Sequence, residues 1–250
     1  MSNVNVALQQ LEQYNKRTGL DIFVPSLGKT LKFKSITLVQ QKALLKSTID
    51  ESLTKLAFNL SISDIIKQNC LEEGVDTDNL FVFDRTAITV ALRAKCLDNR
   101  YTVNNNNIDL NIVTENYKNI PLGDVNEKTL EHENFSLSVA PPKISDDRRV
   151  SQLSLKKVTV NQDTDLKSIL GELFVLELVK FIKRVTLKET STVVDFSQIS
   201  AEDAVKLAEQ LPSQLVTKLL DYIKLFRDFE SKYTVTGENI IDVDGSFFTI

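Results

Sequence analysis

The spacing of apolar residues changes twice along this chain of 250 residues. Before residue 99 and after residue 157, apolar side chains recur every three or four positions, which is the spacing of one face of an α-helix. Between these positions the helical spacing disappears and short alternating runs take its place. The pattern predicts an α+β fold with two mainly helical parts, an N-terminal β-hairpin and a small β-rich central insert. We expect an N-terminal hairpin and helical part over 1–98, a polar β-rich insert over 99–157, and a C-terminal helical part with a strand-like apolar tail over 158–250.

The N-terminal part begins with a weak pattern that predicts a short helix over residues 5–13. Two apolar or alternating runs at 20–24 and 30–36 flank a loop that contains proline and glycine, which predicts a β-hairpin. Thr37 followed by Gln40 matches a capping box at the start of the next helix. Asp84 is the expected cap of a later helix.

The middle of the chain predicts short strands. Four asparagines at 104–107 form a turn between strands at 100–103 and 108–112, because their side-chain amides compete with backbone ladders. A third strand over 135–139 alternates apolar residues with serine before two prolines. Residues 145–149 are interpreted as a charged connector, and we expect the insert to be the least stable part of the chain.

The second helical part predicts a helix that continues to Ile182, and another that Ser200 caps together with Asp203. Pro212 separates this helix from the last one. The segment from residue 240 to 250 is predicted to be strand-like.

Composition narrows the class of protein. The net charge of −4 provides no field that attracts a polyanion, so nucleic acid is not an expected partner. No apolar run is long enough to cross a membrane, and the first residues have no targeting pattern, so we expect a soluble cytosolic protein. Cys70 and Cys96 are expected to be free, structural thiols.

Candidate chemical signals are each incomplete. Gly28 and the two residues after it imitate the end of a phosphate-binding loop, but Phe23 stands where that motif needs its first glycine. His132 lies between two glutamates without a nucleophile beside it, and a surface histidine is the expected interpretation. One histidine and two distant cysteines are too few for zinc. The adjacent carboxylate pairs at 72–73 and 146–147 are interpreted as surface charge. We therefore expect no catalytic residues, no metal and no cofactor.

The chain ends on apolar residues, and two roles remain open for them. Phe247, Phe248 and Ile250 either cover the chain's own helical domain or insert into a groove of a partner. We name these three residues as the candidate partner-binding site.

The hairpin, the next helix and the run from Phe83 to Ala94 form a first group of characteristic segments. Residues 181–185 and 244–248 form a second group. Together these segments resemble the baseplate hub proteins of T-even-type myophages, and the resemblance covers most of the chain outside the central insert. None of these segments is a catalytic signature.

The resemblance implies a non-enzymatic baseplate hub subunit or hub assembly factor of a contractile phage tail. The implied partners are other hub, spike, tail-tube or tape-measure proteins, with no nucleic acid and no membrane. The implied location is the host cell cytoplasm during assembly, with the virion baseplate as a second location. Two other classes stay open: a cytosolic helical adaptor or scaffold unrelated to phage tails, and a hydrolase whose carboxylates converge only in the fold.

Overall fold

The computed structural model describes residues 3–47, 54–103, 105–160, 166–236, 239–241, 243 and 245–248. Within these ranges the chain forms nine α-helices and ten β-strands, and the strands pair in antiparallel sheets, so the predicted α+β class is confirmed. The helices are α1 (Asn3–Arg17), α2 (Leu38–Lys46), α3 (Thr54–Asn69), α4 (Val82–Cys96), α5 (Leu110–Asn116), α6 (Ile144–Val160), α7 (Leu166–Val179), α8 (Ala201–Glu209) and α9 (Ser213–Thr234). The strands are β1 (Leu20–Val24), β2 (Lys29–Phe33), β3 (Arg100–Val103), β4 (Asn106–Asp109), β5 (Lys128–Glu131), β6 (Phe135–Val139), β7 (Ile182–Leu187), β8 (Thr192–Asp195), β9 (Val235–Thr236) and β10 (Asn239–Ile240).

The chain divides into two compact units. The first unit comprises Met1–Ile120 with Tyr233–Ile250, and the second comprises Pro121–Lys232. These boundaries differ from the segments 1–98, 99–157 and 158–250 expected from the sequence. The predicted insert is divided because β3 and β4 pair only with each other, whereas β6 pairs with β7 in a four-stranded sheet of the second unit.

The first unit contains the predicted hairpin. Strands β1 and β2 pair from Leu20 opposite Phe33 to Val24 opposite Lys29. A 3-10 turn over Pro25–Leu27 joins them, and Gly28 ends it with φ of 60°, a left-handed conformation that glycine adopts at little cost. The alternate side chains of both strands are buried, which fixes the register of the hairpin.

Helix α2 begins as predicted, because the Thr37 hydroxyl accepts from the Gln40 amide while the Gln40 side chain accepts from the Thr37 amide. The expected position of Asp84 as a cap is wrong. Helix α4 begins at Val82, so Asp84 is its third residue, and its carboxylate accepts from the backbone amide of Phe81.

In the middle of the chain, the strands predicted at 100–103 and 135–139 are present as β3 and β6. The strand predicted over 108–112 ends at Asp109, because the Asp109 carboxylate accepts from the Asn111 amide and caps α5. Asn105 lies in the predicted turn with φ of 64°, and Asn104 is outside the described residues.

The second unit contains the sheet β5-β6-β7-β8 together with α6, α7, α8 and most of α9. The interpretation of residues 145–149 as a connector is wrong, since they form the first turn of α6. The positive end of the helix dipole stabilises acidic side chains in this turn. The Asp146 carboxylate also accepts a hydrogen bond from the Lys143 amide. The helix predicted to reach Ile182 ends at Val179, and Ile182 begins β7.

The last two helices agree with the prediction. Ser200 caps α8 and shares a hydrogen bond with the Asp203 carboxylate, and Pro212 precedes α9. The strand-like tail is only partly correct. Strand β10 covers Asn239–Ile240, but Gly245–Phe248 forms a 3-10 turn.

Candidate functional site

The last described residues of the chain pack inside the first unit. Phe247 and Phe248 are both 0% exposed. The Phe247 ring meets Tyr101 of β3 edge-on, with ring centroids 4.8 Å apart, and the Phe248 ring lies 6.3 Å from Phe58 of α3. The two terminal rings also contact each other edge-on. These aromatic contacts bury the two phenylalanines against two different elements, β3 and α3.

Polar groups hold the backbone of the same segment. The Arg93 guanidinium lies 5.1 Å from the Tyr101 ring centroid and 5.2 Å from that of Phe247, and it donates to the Phe247 carbonyl. Gln41 of α2 donates to the Phe248 carbonyl over 3.1 Å. Burial lowers the pKa of Arg93, while Tyr101 opposes this shift. We call Gln41, Phe58, Arg93, Tyr101 and the two terminal rings the C-terminal socket.

The C-terminal socket shows which surface Phe247 and Phe248 cover. Phe247 and Phe248 cover their own chain, and the surface that they cover belongs to the N-terminal unit rather than to the helices that precede them. Insertion of Phe247, Phe248 and Ile250 into a partner stays a prediction, and Ile250 lies outside the described residues. The socket packs aromatic rings around one guanidinium and bonds two backbone carbonyls, a geometry that suits anchoring of this segment.

Asp84 is a buried carboxylate in the first unit, with an exposed fraction of 0%. Its oxygens accept from the Ser26 amide over 2.8 Å and from the Phe81 amide over 2.9 Å. Burial raises the pKa of Asp84, while these hydrogen bonds oppose the shift. The carboxylate therefore ties the turn of the β1–β2 hairpin to the start of α4.

The adjacent carboxylates Asp146 and Asp147 form a charged cluster with two lysines in the second unit. Lys180 lies 3.0 Å from an Asp147 oxygen, and Lys183 lies 2.5 Å from an Asp146 oxygen. Burial alone would lower the pKa of Lys180, but Asp147 and Glu177 outweigh it and the pKa is raised. For Lys183 burial prevails over Asp146, and the pKa is lowered.

The interpretation of this pair as surface charge is therefore wrong, since Asp147 is 2% exposed and both carboxylates face lysines across the α6–β7 region. The other adjacent pair, Glu72 and Glu73, is exposed as expected. Each carboxylate of the buried pair is held by a cation, and perturbed pKa values of this kind also arise in structural ion-pair networks.

His132 is half-buried rather than fully solvated. Its ring lies 6.0 Å from that of Phe135, and the neighbouring Glu131 carboxylate pairs with Lys188 over 2.6 Å. One of the two glutamates that flank the histidine is thus bound to a lysine.

Both cysteines are half-buried free thiols. Burial raises the pKa of each, and the Cys96 sulfur accepts from the Ile36 amide over 3.4 Å. A raised pKa lowers the thiolate fraction and hence the reactivity of each cysteine.

Gly28 begins the three residues that imitate the end of a phosphate-binding loop. It is followed directly by strand β2, whereas a phosphate-binding loop is followed by a helix.

One polar cavity of about 130 Å³ lies in the first unit between β1, α4 and α5. Its lining includes Asp21, Lys95, Glu115 and Lys118. Pockets that hold small organic ligands measure roughly 300–1,000 Å³, so this cavity is too small to indicate such a ligand.

Across the described ranges, no three side chains of His, Cys, Asp or Glu come together as a group that could hold a metal ion. None of the described helices combines the length and the apolar character that crossing a membrane requires.

Two surface features were not recognised in the sequence as candidate sites. Helix α1 exposes Val4, Leu8, Leu11 and Tyr14, whose spacing of three or four residues is typical of an apolar helix face. An apolar groove between α7 and α9 exposes Phe174 and is also lined by Leu178. The spacing in α1 is visible in the sequence, whereas the groove depends on how two distant helices pack.

Comparison with protein families identifies the class of this chain. The family model described as T4 bacteriophage base plate protein matches residues 18–242. The match covers most of the chain, and the chain therefore belongs to this family, whose class is that of a structural phage baseplate protein. The comparisons with curated proteins and with solved structures each found no match.

Proposed function

We propose that this baseplate protein is a non-enzymatic hub subunit or hub assembly factor of a contractile phage tail, which acts through protein–protein contacts. The family match over residues 18–242 supports the part of the proposal that concerns the baseplate. The hub assignment rests on the resemblance of the hairpin, of α4 and of the terminal segment 244–248 to hub proteins.

The charged groups of the described residues support a structural role. Asp84 bonds two backbone amides, and Asp147 bonds Lys180. General acid–base catalysis needs a titratable group within reach of a substrate, and these carboxylates are instead buried against fixed donors.

The surface supports contact with other proteins. Contiguous exposed apolar patches mark interaction sites in soluble proteins. Helix α1 and the α7–α9 groove each expose apolar side chains in this way. We propose that the neighbours are hub, spike, tail-tube or tape-measure proteins, met in the host cell cytoplasm during assembly. With a net charge of −4, nucleic acid is not among the proposed partners.

Affinity purification of the tagged chain from infected cells tests the hub assignment. We expect hub or spike proteins to copurify, with tail-tube or tape-measure proteins at later stages. Recovery of peripheral baseplate proteins alone would contradict the hub role and retain the family. Mass spectrometry of purified mature tails then separates the two forms of the proposal, because a subunit remains in the tail and an assembly factor does not.

A variant of the sole histidine tests the non-enzymatic part of the proposal. His132→Ala is expected to keep assembly activity, because its neighbour Glu131 is paired with Lys188. Loss of assembly with an unchanged circular dichroism spectrum would instead indicate an active-site role for His132.

A further inference from the structure

Helix α1 has an exposed apolar face. Val4, Leu8, Leu11 and Tyr14 are each at least 60% exposed, although an amphipathic helix normally buries such a stripe. A helix of 15 residues gains little stability in water without packing, so this face is expected to have a partner.

The second unit has a groove of about 300 Å³ between α7 and α9. Its apolar lining includes Phe174, which is 49% exposed, and Leu220, which is 39% exposed, with Leu178 and Ile223 buried beneath. Lys224 and Asp228 are exposed on α9 and contribute to the same groove. A groove between two helices with apolar lining and charged residues is the usual receptor for an amphipathic helix.

The charges and apolar residues of α1 match those of α9 position by position. Glu12 and Lys16 are four residues apart in α1, and Lys224 and Asp228 are four residues apart in α9 with the signs reversed. Leu8 and Leu11 precede Glu12 by the same intervals at which Leu220 and Ile223 precede Lys224. A helix lying parallel to α9 in this register would place Leu8 and Leu11 against the apolar lining of the groove. It would also bring Glu12 next to Lys224 and Lys16 next to Asp228.

We propose that α1 of one copy of this protein docks in the α7–α9 groove of a second copy. Self-association goes beyond the proposed hub role and does not depend on it. The occupant is a second copy because the helix and the groove are both exposed within a single chain, and each offers the surface that the other lacks. Reciprocal docking closes a dimer, whereas one-way docking continues from copy to copy.

Sedimentation velocity of the purified full-length protein over a range of concentrations tests the proposal. The wild-type protein is expected to self-associate. Leu11→Asp in α1 and Leu220→Asp in the groove should each weaken association by about tenfold or more, because each places a charge in an apolar contact. Val39→Asp is the matched control, since Val39 is 77% exposed on α2, and it should associate as the wild type does.

Mixing the two variants separates this geometry from its alternatives. The Leu11→Asp copy retains its groove and the Leu220→Asp copy retains its α1, so an equimolar mixture should form a one-to-one pair. A wild-type protein that stays monomeric at every concentration would overturn the proposal. Normal association of Leu220→Asp would also overturn it, because α1 would then pair with another α1 or with another surface. Circular dichroism and thermal unfolding of both variants exclude misfolding as the cause of a loss.

A charge exchange gives a second, milder test. Glu12→Lys and Lys224→Glu should each weaken association by about twofold to fivefold, and the two changes in one chain should restore it. Additive weakening in the double variant would contradict the proposed register.

Discussion

The buried carboxylates Asp84 and Asp147 are each held by fixed partners. Asp84 accepts two backbone amides, and Asp147 and Lys180 form an ion pair whose members are both largely buried. Burying an uncompensated charge is costly, so such partners are required for the folded state. At the scale of single residues, burial together with these bonds explains the raised pKa values of Asp84 and Lys180.

Replacing Asp84 tests this explanation in the first unit. Asp84→Ala leaves the Ser26 and Phe81 amides without their acceptor, and it is expected to lower the free energy of unfolding by roughly 3 kcal/mol. Urea unfolding provides the measurement. Asp21→Ala, at an exposed position of β1, should change the stability by less than about 0.5 kcal/mol. Equal effects of the two substitutions would refute the assigned role of Asp84.

The same residue predicts a dependence on pH. Because the pKa of Asp84 is raised in the folded protein, the folded state binds the proton more tightly than the unfolded chain. Its contribution to stability is therefore fully present below the unfolded pKa of about 4 and falls as pH rises through the raised folded pKa. The stability difference between wild type and Asp84→Ala should shrink over this interval, and a difference that grows with pH would contradict the raised pKa.

Removing Asp147 tests the ion pair of the second unit. Asp147→Ala leaves Lys180 with Glu177 alone, and we expect a loss of about 3 kcal/mol in denaturant unfolding. Glu115→Ala is the control, because it breaks the exposed pair with Lys118 and should cost less than about 0.5 kcal/mol. A small effect for both would show that the buried pair adds nothing to stability.

At the scale of elements, the end of the chain is a structural part of the first unit. Phe248 packs against Phe58 and contributes to a socket held by Arg93 and Gln41. The element is a short 3-10 turn, so its position depends on these contacts rather than on its own hydrogen bonds.

Truncating one ring measures what this packing contributes. Phe248→Ala should lower the free energy of unfolding by about 3–5 kcal/mol, the usual cost of removing a buried phenylalanine. Phe174→Ala, at a half-exposed position of α7, is the matched control and should cost much less. If Phe248→Ala left the melting temperature unchanged but abolished binding to a baseplate partner, the tail would be an anchor for that partner instead.

The strands within residues 99–157, which the sequence predicts as one insert, should differ in their protection from hydrogen exchange. Strands β3 and β4 form an isolated two-stranded pair, whereas β6 has neighbours on both sides in its sheet. Isolated hairpins are marginally stable, so the amides of β3 and β4 are expected to exchange before those of β6. Mass spectrometry of the isolated protein measures this order, and equal protection would contradict it.

How far the sequence predicts these elements depends on local signals. The capping box at Thr37 and the cap at Ser200 were predicted because both partners lie within three residues of each other. Helix α6 was missed because its first turn consists of charged residues, whose partners Lys180 and Lys183 lie more than thirty positions away. The end of α7 was misplaced because the helical spacing of Leu176 and Val179 continues to Ile182, which is the first residue of β7.

The candidate sites show the same limit. The sequence indicated that something must cover Phe247 and Phe248, since two adjacent phenylalanines near the end of the chain are strongly apolar. It did not indicate the cover, because Phe58, Arg93 and Tyr101 come from separate elements. The α7–α9 groove likewise depends on tertiary packing.

At the scale of the whole molecule, two compact units carry exposed apolar surfaces together with buried carboxylates such as Asp84 and Asp147. The family match assigns the protein to the phage baseplate. Together these features describe a component that is built to contact other proteins, and the central claim is that its contacts lie in the hub.

Cross-linking mass spectrometry on assembling tails tests this claim most directly. Exposed lysines such as Lys16 on α1 and Lys224 on α9 provide reactive positions near both proposed surfaces. We predict cross-links from this chain to hub, spike, tail-tube or tape-measure proteins, together with links between Lys16 and Lys224 of different copies. Cross-links confined to peripheral baseplate proteins, with none to the central hub, would contradict the account.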